Sequence, residues 1–451
     1  MTDNSKSLNT LEALLDKACR LGADAGDAAM IESIEVQASC RRQLPEGIER
    51  SESAGISLRV WSGARQAMVS STDLAQAALF ELAERAVAMA RAAPEDPSST
   101  LAPEALLARR LPALNLYDKE EPASDWLMRQ AMAAEQAALD VPGVTNSEGG
   151  HAGYGANRMS LMTRPPGGSG FAHSYRTTML SLSVSALAGE GTQMERDYDY
   201  ATVRHRADLP AAEAIGRKAA ERAVKRLHPR KVPTGEVPVV FDPRNAKSLL
   251  SYFAGAINGA AIARGTSFLK EKLGQKVFSH GVTICDDPHR PSGLGSRPFD
   301  GEGVANRRMD LVEDGVLVSW LLDVRSAHML GLNSTGHATR GMASAPSPSP
   351  SNLWMQPGEE APEALMADIK AGLYVTEMFG MGVNLVTGDF SQGAAGFWIE
   401  NGALAYPVSE LTIAGNLNEM FAAATPANDL EFRYAINAPT VHVARMTVAG
   451  T

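Results

Sequence analysis

The densest group of side chains able to do chemistry is His280, Asp286, Asp287 and His289, within SHGVTICDDPHR. Imidazoles and carboxylates are metal-ligand types. A strand through 282–285 would separate His280 from the acidic pair, and Asp286-Asp287-Pro288 is also what a turn after a strand looks like. We read the segment as that turn, with surface histidines. His328 and His337 lie in SAHMLGLNSTGHATR, straddling glycines rather than sharing a helical turn. The STGHATR stretch sets an imidazole, three hydroxyls and Arg340 beside a glycine that lets a backbone come close. That mixture suits gripping a peptide or lining a partner's cleft, and equally suits a hydrogen-bonded loop. Asp300 and Glu302 sit two apart in the glycine-rich FDGEG. Paired carboxylates divide acid and base roles only when their environments differ, and nothing in the sequence shows burial there. Ser251 and Tyr252 are nucleophile and base types, but the small residues around them, from Ala254 to Ala261, describe a core-facing helix on which another element packs.

Several motifs are missing. The nine histidines are followed by Ala, Ser, Arg, Pro, Gly, Arg, Met, Ala and Val, never by Glu. The chain therefore has no H-E-x-x-H, which pairs two imidazoles with a general base on one helix face. It has no G-x-x-x-x-G-K-[ST] phosphate cradle and no G-x-G-x-x-G after a strand. Gly167-Gly168-Ser169-Gly170 is followed by Phe171 where a nucleophile elbow needs glycine, so it reads as a turn.

The elements that must position these groups fall into two sets. Apolar residues at helical spacing predict a helix over 8–21, stopped by Gly22. Strands follow over 28–40, 55–61 and 66–70, the last two a hairpin around Ser62-Gly63. Thr72 is the expected cap of an Ala-rich helix to residue 92, and Ser124 of a second helix to 139. Strand-like segments fill 144–190, most clearly 177–187, before a helix over 209–227. The segment HPRKVPTG (228–235), with two prolines and a charge run, marks the expected boundary between a domain over 1–227 and one over 236–451. The second opens with a strand over 236–241 and a Gly/Ala-rich helix over 245–263. It continues as short strands, with hairpins turning at Asp314-Gly315 and Asn401-Gly402, dipeptides that suit type I′ turns. The Pro/Ser-rich stretch 343–358 is unusually long for a loop inside a domain. The expected class is α+β: an N-terminal α+β domain with an antiparallel sheet, then a C-terminal domain of short antiparallel strands, barrel-like or a sandwich, around a buried small-residue helix.

Of 451 residues, 44% are hydrophobic and 21% charged, ordinary proportions for a globular protein, and the formal net charge is −10. That balance repels a phosphate backbone, so no nucleic acid partner is expected. The basic residues of 217–230 read as a solvated helix face running into the linker. Cys19, Cys40 and Cys285 are too few and scattered for a disulfide framework. The polar start over 1–9 does not read as a signal peptide, and no stretch approaches the 18 apolar residues of a membrane span. No membrane association and a cytoplasmic location are the expectation.

Longer runs carry a family resemblance. GTSFLKEKLGQKVFSHGVTICDDP (265–288), GLGSRPFDGEGVANRR (293–308), LGLNSTGHATR (330–340), SPSPSNL (347–353), GLYVTEMFGMGVNLVTGDFSQGAAGFWIENG (372–402) and YPVSELTIAGNL (406–417) resemble the PmbA, or TldE, branch of the TldD/PmbA family. TVAG (447–450) agrees, and ESAGISLRVWSGAR extends a more diffuse likeness into the first half.

The resemblance implies two homologous subunits acting together as a peptidase on small or unfolded peptides. The TldD-type subunit carries an H-E-x-x-x-H zinc motif on a helix corresponding here to 250–256, which reads LSYFAGA. A further cysteine ligand near the C-terminus of that type has no counterpart after Cys285. No catalytic or metal residue can therefore be carried over, and zinc is expected in the partner. This chain is expected to be inactive alone, to complete the enclosure around the peptide and to add backbone to an extended substrate. Its glycine-rich loops at 301–303, 336 and 388 would lie there, with Asp300, Glu302, His337, Arg340 and Asp389 as residues contacting peptide or partner. A homodimer is expected when the chain is made alone. The older family label, modulator of DNA gyrase, gains no support as direct DNA binding from an acidic chain without a DNA-reading motif. Two other readings remain: an adaptor or regulatory protein without a role in turnover, and an independent hydrolase.

Overall fold

The computed structural model describes residues 4–450; the first three residues of the polar start lie outside them. Helix α1 (Asn4–Arg20) buries Leu11, Leu14, Leu15 and Ala18, the stripe seen in the sequence. It leads into β1 (Ala25–Arg41), β2 (Leu44–Ser62), β3 (Arg65–Ser71), α2 (Gln76–Ala92), α3 (Ser124–Leu139), β4 (Val144–Arg164), β5 (Phe171–Ala188), β6 (Glu195–Val203) and α4 (Ala212–Lys225). The strands form one antiparallel sheet in the order β3-β2-β1-β4-β5-β6.

Two-residue alternation divides this sheet between two neighbours. Ala28, Met30, Ile56, Leu58 and Val60 face α1 and α2, while Val36, Ala38, Ala152, Leu182 and Val184 face α3 and α4. The intervening Ala29, Leu161 and Phe171 pack instead on Phe299, Val304 and Val324 from the second half of the chain. The sheet is thus a middle layer, with helices on one side and the functional loops on the other.

Residues 228–234 connect the halves without helix or strand; Arg230 N–H donates to Pro407 O at 2.8 Å and Val232 is buried. The second half contains β7 (Gly235–Phe241), α5 (Pro243–Ala256), α6 (Gly259–Ala263), β8 (Ile284–Asp286), β9 (Met309–Glu313), β10 (Val316–Leu317), α7 (Val324–Met329), β11 (Ala338–Thr339), β12 (Ser347–Pro348), β13 (Leu353–Met355), α8 (Pro362–Met366), β14 (Ala371–Phe379), β15 (Asp389–Glu400), β16 (Ala403–Asn416), α9 (Leu417–Ala422), β17 (Ala424–Pro426), β18 (Ile436–Asn437) and β19 (Val441–Ala449). The order β16-β15-β14-β7-β19, with β19 pairing back onto β16, closes a barrel. Among the described residues its one parallel strand pair is β14 on β7. A second sheet, β10-β9-β8-β13-β18, adjoins it. Leu249, Leu250, Phe253 and Ala256 of α5 join the core, where Phe253 meets Phe278 edge-on at 5.3 Å.

The α+β class and the barrel-like second half agree with the sequence, and several boundaries do not. Helix α2 begins at Gln76, behind Ala75 rather than Thr72, because Ser71 Oγ and Asp73 Oδ1 accept the N–H groups of Asp73 and Ala75 and build a turn first. Ala123, not Ser124, precedes α3. Strand β2 starts eleven residues before the expected Gly55, after a turn at Arg42 and Gln43 with φ of 51° and 60°. Neither residue is glycine, but both N–H groups donate to the Glu135 carboxylate, at 2.7 and 2.8 Å, so α3 holds the turn that local sequence disfavours. The helix expected over 245–263 breaks at Ile257. There Leu321 exchanges backbone hydrogen bonds with Ile257 and Gly259, and Asn258 caps α6. Asp314-Gly315 and Asn401-Gly402 do turn their hairpins, with φ positive at all four residues. The 343–358 stretch carries β12 and β13, with Ser351 and Asn352 buried.

Candidate functional site

The structure gathers four of the five residues singled out in the sequence, Asp300, Glu302, His337 and Arg340, where the second half meets the open face of the first sheet. Asp27 on β1 stands directly opposite Arg59 on β2, and Arg59 Nε donates to Asp27 Oδ2 at 2.8 Å. Arg340 reaches across from the end of β11: Nη1 donates to Asp27 Oδ1 at 3.0 Å and Nη2 lies 3.4 Å from Ser57 Oγ. Glu302 extends the cluster, its Oε1 3.4 Å from Arg59 Nη2, and accepts Val324 N–H at 2.8 Å. All four side chains are nearly withdrawn from water. Burial alone would raise the Asp27 carboxyl, but the guanidiniums of Arg340 and Arg59 hold it below its usual range.

The FDGEG loop is folded by its own carboxylate. Asp300 Oδ1 accepts the N–H groups of Glu302 and Val304, at 2.9 and 2.8 Å, and Oδ2 accepts that of Ala338 at 3.1 Å. Gly301 N–H donates to Ala338 O at 2.8 Å, tying this loop to STGHATR. Gly303 has φ +82°, and a Cβ there would stand 2.8 Å from the Phe171 ring. Desolvation pushes Asp300 up to about 6. Desolvation and the neighbouring Asp300 charge push Glu302 up to about 8, against the pull of Arg59. The two carboxylates do have different environments, yet both are committed to backbone donors or to Arg59.

His337 is buried, with Nε2 3.2 Å from Asp286 Oδ2 and Nδ1 2.8 Å from Thr335 Oγ1. Ser351 donates to Asp286 through both its N–H and its hydroxyl. Hydroxyl, imidazole and carboxylate in line are the parts of a nucleophilic triad. Here the hydroxyl of Thr335 accepts Leu322 N–H at 2.8 Å and lies against the carbonyls of Trp320 and Leu322, so the array braces a loop.

Asp389 lies apart from this cluster, at the start of β15, where its carboxylate takes bonds from Thr387 Oγ1 and Asn416 Nδ2. The remaining sequence candidates disperse. His280 is exposed beside Asp314, His289 pairs with Asn306, and Asp286 turns inward to His337. Ser251 Oγ donates to Lys247 O within α5, and Tyr252 lies 3.5 Å from the Gln392 amide. A hydrolytic zinc takes three protein ligands and a water. Among the described residues no group of three His, Cys, Asp or Glu side chains could hold a metal, so the residues present do not fit one. No helix among them is long and apolar enough to cross a membrane. Asp27 and Arg59 were not found from sequence, where they carry no local motif; Asp286 and His337 each stood out there, but in separate segments 51 positions apart, not as a pair.

Comparison with known proteins covers both halves. Residues 234–450 match the PmbA/TldA metallopeptidase C-terminal domain, 169–227 its central domain and 26–90 its domain 1. Metalloprotease PmbA of Escherichia coli O157:H7 is 37% identical over 448 residues, covering 98% of this chain and 96% of that protein. A PmbA homolog of Haemophilus influenzae is 34% identical, covering 97% and 94%. Among solved structures, a Bacteroides thetaiotaomicron protein described as a candidate modulator of DNA gyrase superposes with TM-score 0.90 at 28% identity, over 100% of both chains. TldE from Thermococcus kodakarensis shares the fold, with TM-score 0.87 at 22% identity, over 98% of this chain and 100% of that one.

Proposed function

The chain belongs to the PmbA/TldD metallopeptidase family, and from that premise we propose that it is the zinc-less companion subunit of a two-subunit cytoplasmic peptidase acting on small or unfolded peptides. The observation that carries this reading is α5. The helix expected to bear the zinc motif reads PRNAKSLLSYFAGA and holds no imidazole or carboxylate; Ser251 is exposed, Gly255 half-buried, and Tyr252 packs on the core beside Phe390. A TldD-type partner would supply zinc and with it an activated water. This chain would supply walls and backbone. Phe379 at the end of β14, and Met381 and Val386 on the following loop whose Leu385 reaches Gly255, are exposed large apolar residues, Met381 almost wholly so, as suits a surface that a partner covers. The same surface would let the chain pair with itself when made alone. Cys19, Cys40 and Cys285 are all free thiols, in keeping with a reducing compartment.

The test is peptide cleavage by this chain alone, by its TldD-type partner alone and by the mixture, with bound zinc quantified in each. Turnover confined to the mixture, with zinc only on the partner, is the expected result. Turnover by this chain alone would restore an independent hydrolase, and unchanged turnover by the partner on mixing would restore an adaptor.

A further inference from the structure

We propose that a cavity between the two halves, beside the Asp27–Arg340 bridge, is a binding site for a carboxylate, carried either by a small aliphatic acid or by the C-terminus of a short peptide. The cavity measures about 310 Å³, at the small end of the range for ligand sites, roughly 300–1,000 Å³. Its floor comes from the first sheet and its rim from residues 294–301 and 338–340.

Four arginines line it, and two of them form no ion pair among the described residues, although the Arg297 charge is felt by Asp300. Arg158 pairs with Glu32, and Arg340 with Asp27. Arg204, 92% withdrawn from solvent by its 8% exposure, donates only to the carbonyls of Thr178, Gly293 and Leu294. Arg297 gives Nη2 to Ser349 O at 3.1 Å, and its buried Nε has no partner. Among the described residues no carboxylate lies within salt-bridge distance of either guanidinium. Withdrawing a cation from water without an opposite charge is costly, and desolvation accordingly lowers the pKa of Arg204. On the same wall, burial raises the pKa of the Tyr175 hydroxyl and the charges of Arg297 and Arg204 partly offset that rise.

One carboxylate faces the same space. Asp300 lies in the lining, but its two oxygens already accept three backbone N–H groups. Within the lining the two guanidiniums outside any ion pair outnumber the Asp300 carboxylate, and a bound anion neutralises the excess. A planar guanidinium fork matches carboxylate geometry. Ile31, Met159 and Phe299 offer apolar wall for the body of the ligand.

The site goes beyond the companion role and can be tested on this chain alone, so its failure is distinct from failure of that role. Calorimetry and thermal shift on the full chain would use four probes: 4-methylpentanoate, a leucine-ended tripeptide with a free C-terminus, the same tripeptide amidated, and inorganic phosphate. Saturable binding of one or both free carboxylates is expected, with no binding of the amide. Binding of 4-methylpentanoate alone assigns a free acid as ligand; binding of the free tripeptide as well assigns a chain terminus. Arg297→Gln should weaken binding about tenfold or more, the loss of one charged hydrogen bond. Tyr175→Phe, which keeps the ring on Phe299, should weaken it severalfold and guards against a misfolded Arg297 variant. Absence of carboxylate binding, equal binding of the amide, tighter binding of phosphate, or unchanged affinity in both variants would overturn the proposal.

Discussion

Asp27 accepts from two guanidiniums that arrive from opposite halves of the molecule, and each partner answers for part of its burial. Removing one arginine leaves a buried carboxylate short of charge, a loss of about 3–5 kcal/mol for a broken buried pair. Arg340→Ala should therefore lower stability by that order in chemical denaturation. The sequence suggested Arg340 as a grip on peptide; in the fold its side chain is fully buried on Asp27 and Ser57, where it braces the two halves. In the double variant Asp27→Asn/Arg340→Ala the loss should be smaller than the sum of the single losses, since neither change then strands the other's charge. Glu302 gives a pH signature. Folded, it keeps its proton to about pH 8, whereas an unfolded glutamate loses it near 4.3. Between those values the native state binds more protons, so stability should fall as pH rises from about 5 to 8. Glu302→Gln, which cannot titrate, should flatten that slope in melting curves; an unchanged slope would assign it to other groups.

Loops and helix breaks carry the next level. Gly303 combines a left-handed backbone with a Cβ position pressed on Phe171, so Gly303→Ala should cost about 1–3 kcal/mol. Its melting temperature should drop accordingly, with strand content in circular dichroism preserved. How far the elements could be read locally follows the same physics. The hairpins at Asp314-Gly315 and Asn401-Gly402 were legible because their turn residues tolerate positive φ. The Arg42-Gln43 turn was not, since its stability is supplied by Glu135 on α3, 92 and 93 residues away. The loops bearing Asp300, Glu302, His337 and Arg340 stood out through glycine and clustered polar types. Their partners did not: Arg59 and Glu302 are separated by 243 positions, and Asp27 and Arg340 by 313.

At the scale of the molecule, ion pairs recur across the junction of the halves. Arg244 on α5 reaches Asp197 on β6, and Arg433 reaches Asp199. With the Asp27 cluster they should make the halves unfold together, as one calorimetric transition in the native chain and two in Asp27→Asn/Arg244→Met. The proposed self-association belongs here too. Sedimentation at micromolar concentration should show a dimer, weakened by Met381→Lys; a monomer throughout would count against it. The barrel closure has a consequence for how the chain is made. The neighbours of β7, namely β14 and β19, are its partners only after about 130 and 200 further residues have been joined. At roughly 5–20 residues per second, the nascent VPVVF segment waits about 7–26 seconds with both edges open, and about 10–40 seconds until the second is covered, whereas the first sheet already has all its strands. Pro238 and Glu236, at the head of β7, are residues that discourage stray pairing. Replacing them should reveal itself first as aggregation on the ribosome's timescale, before any change in the finished fold.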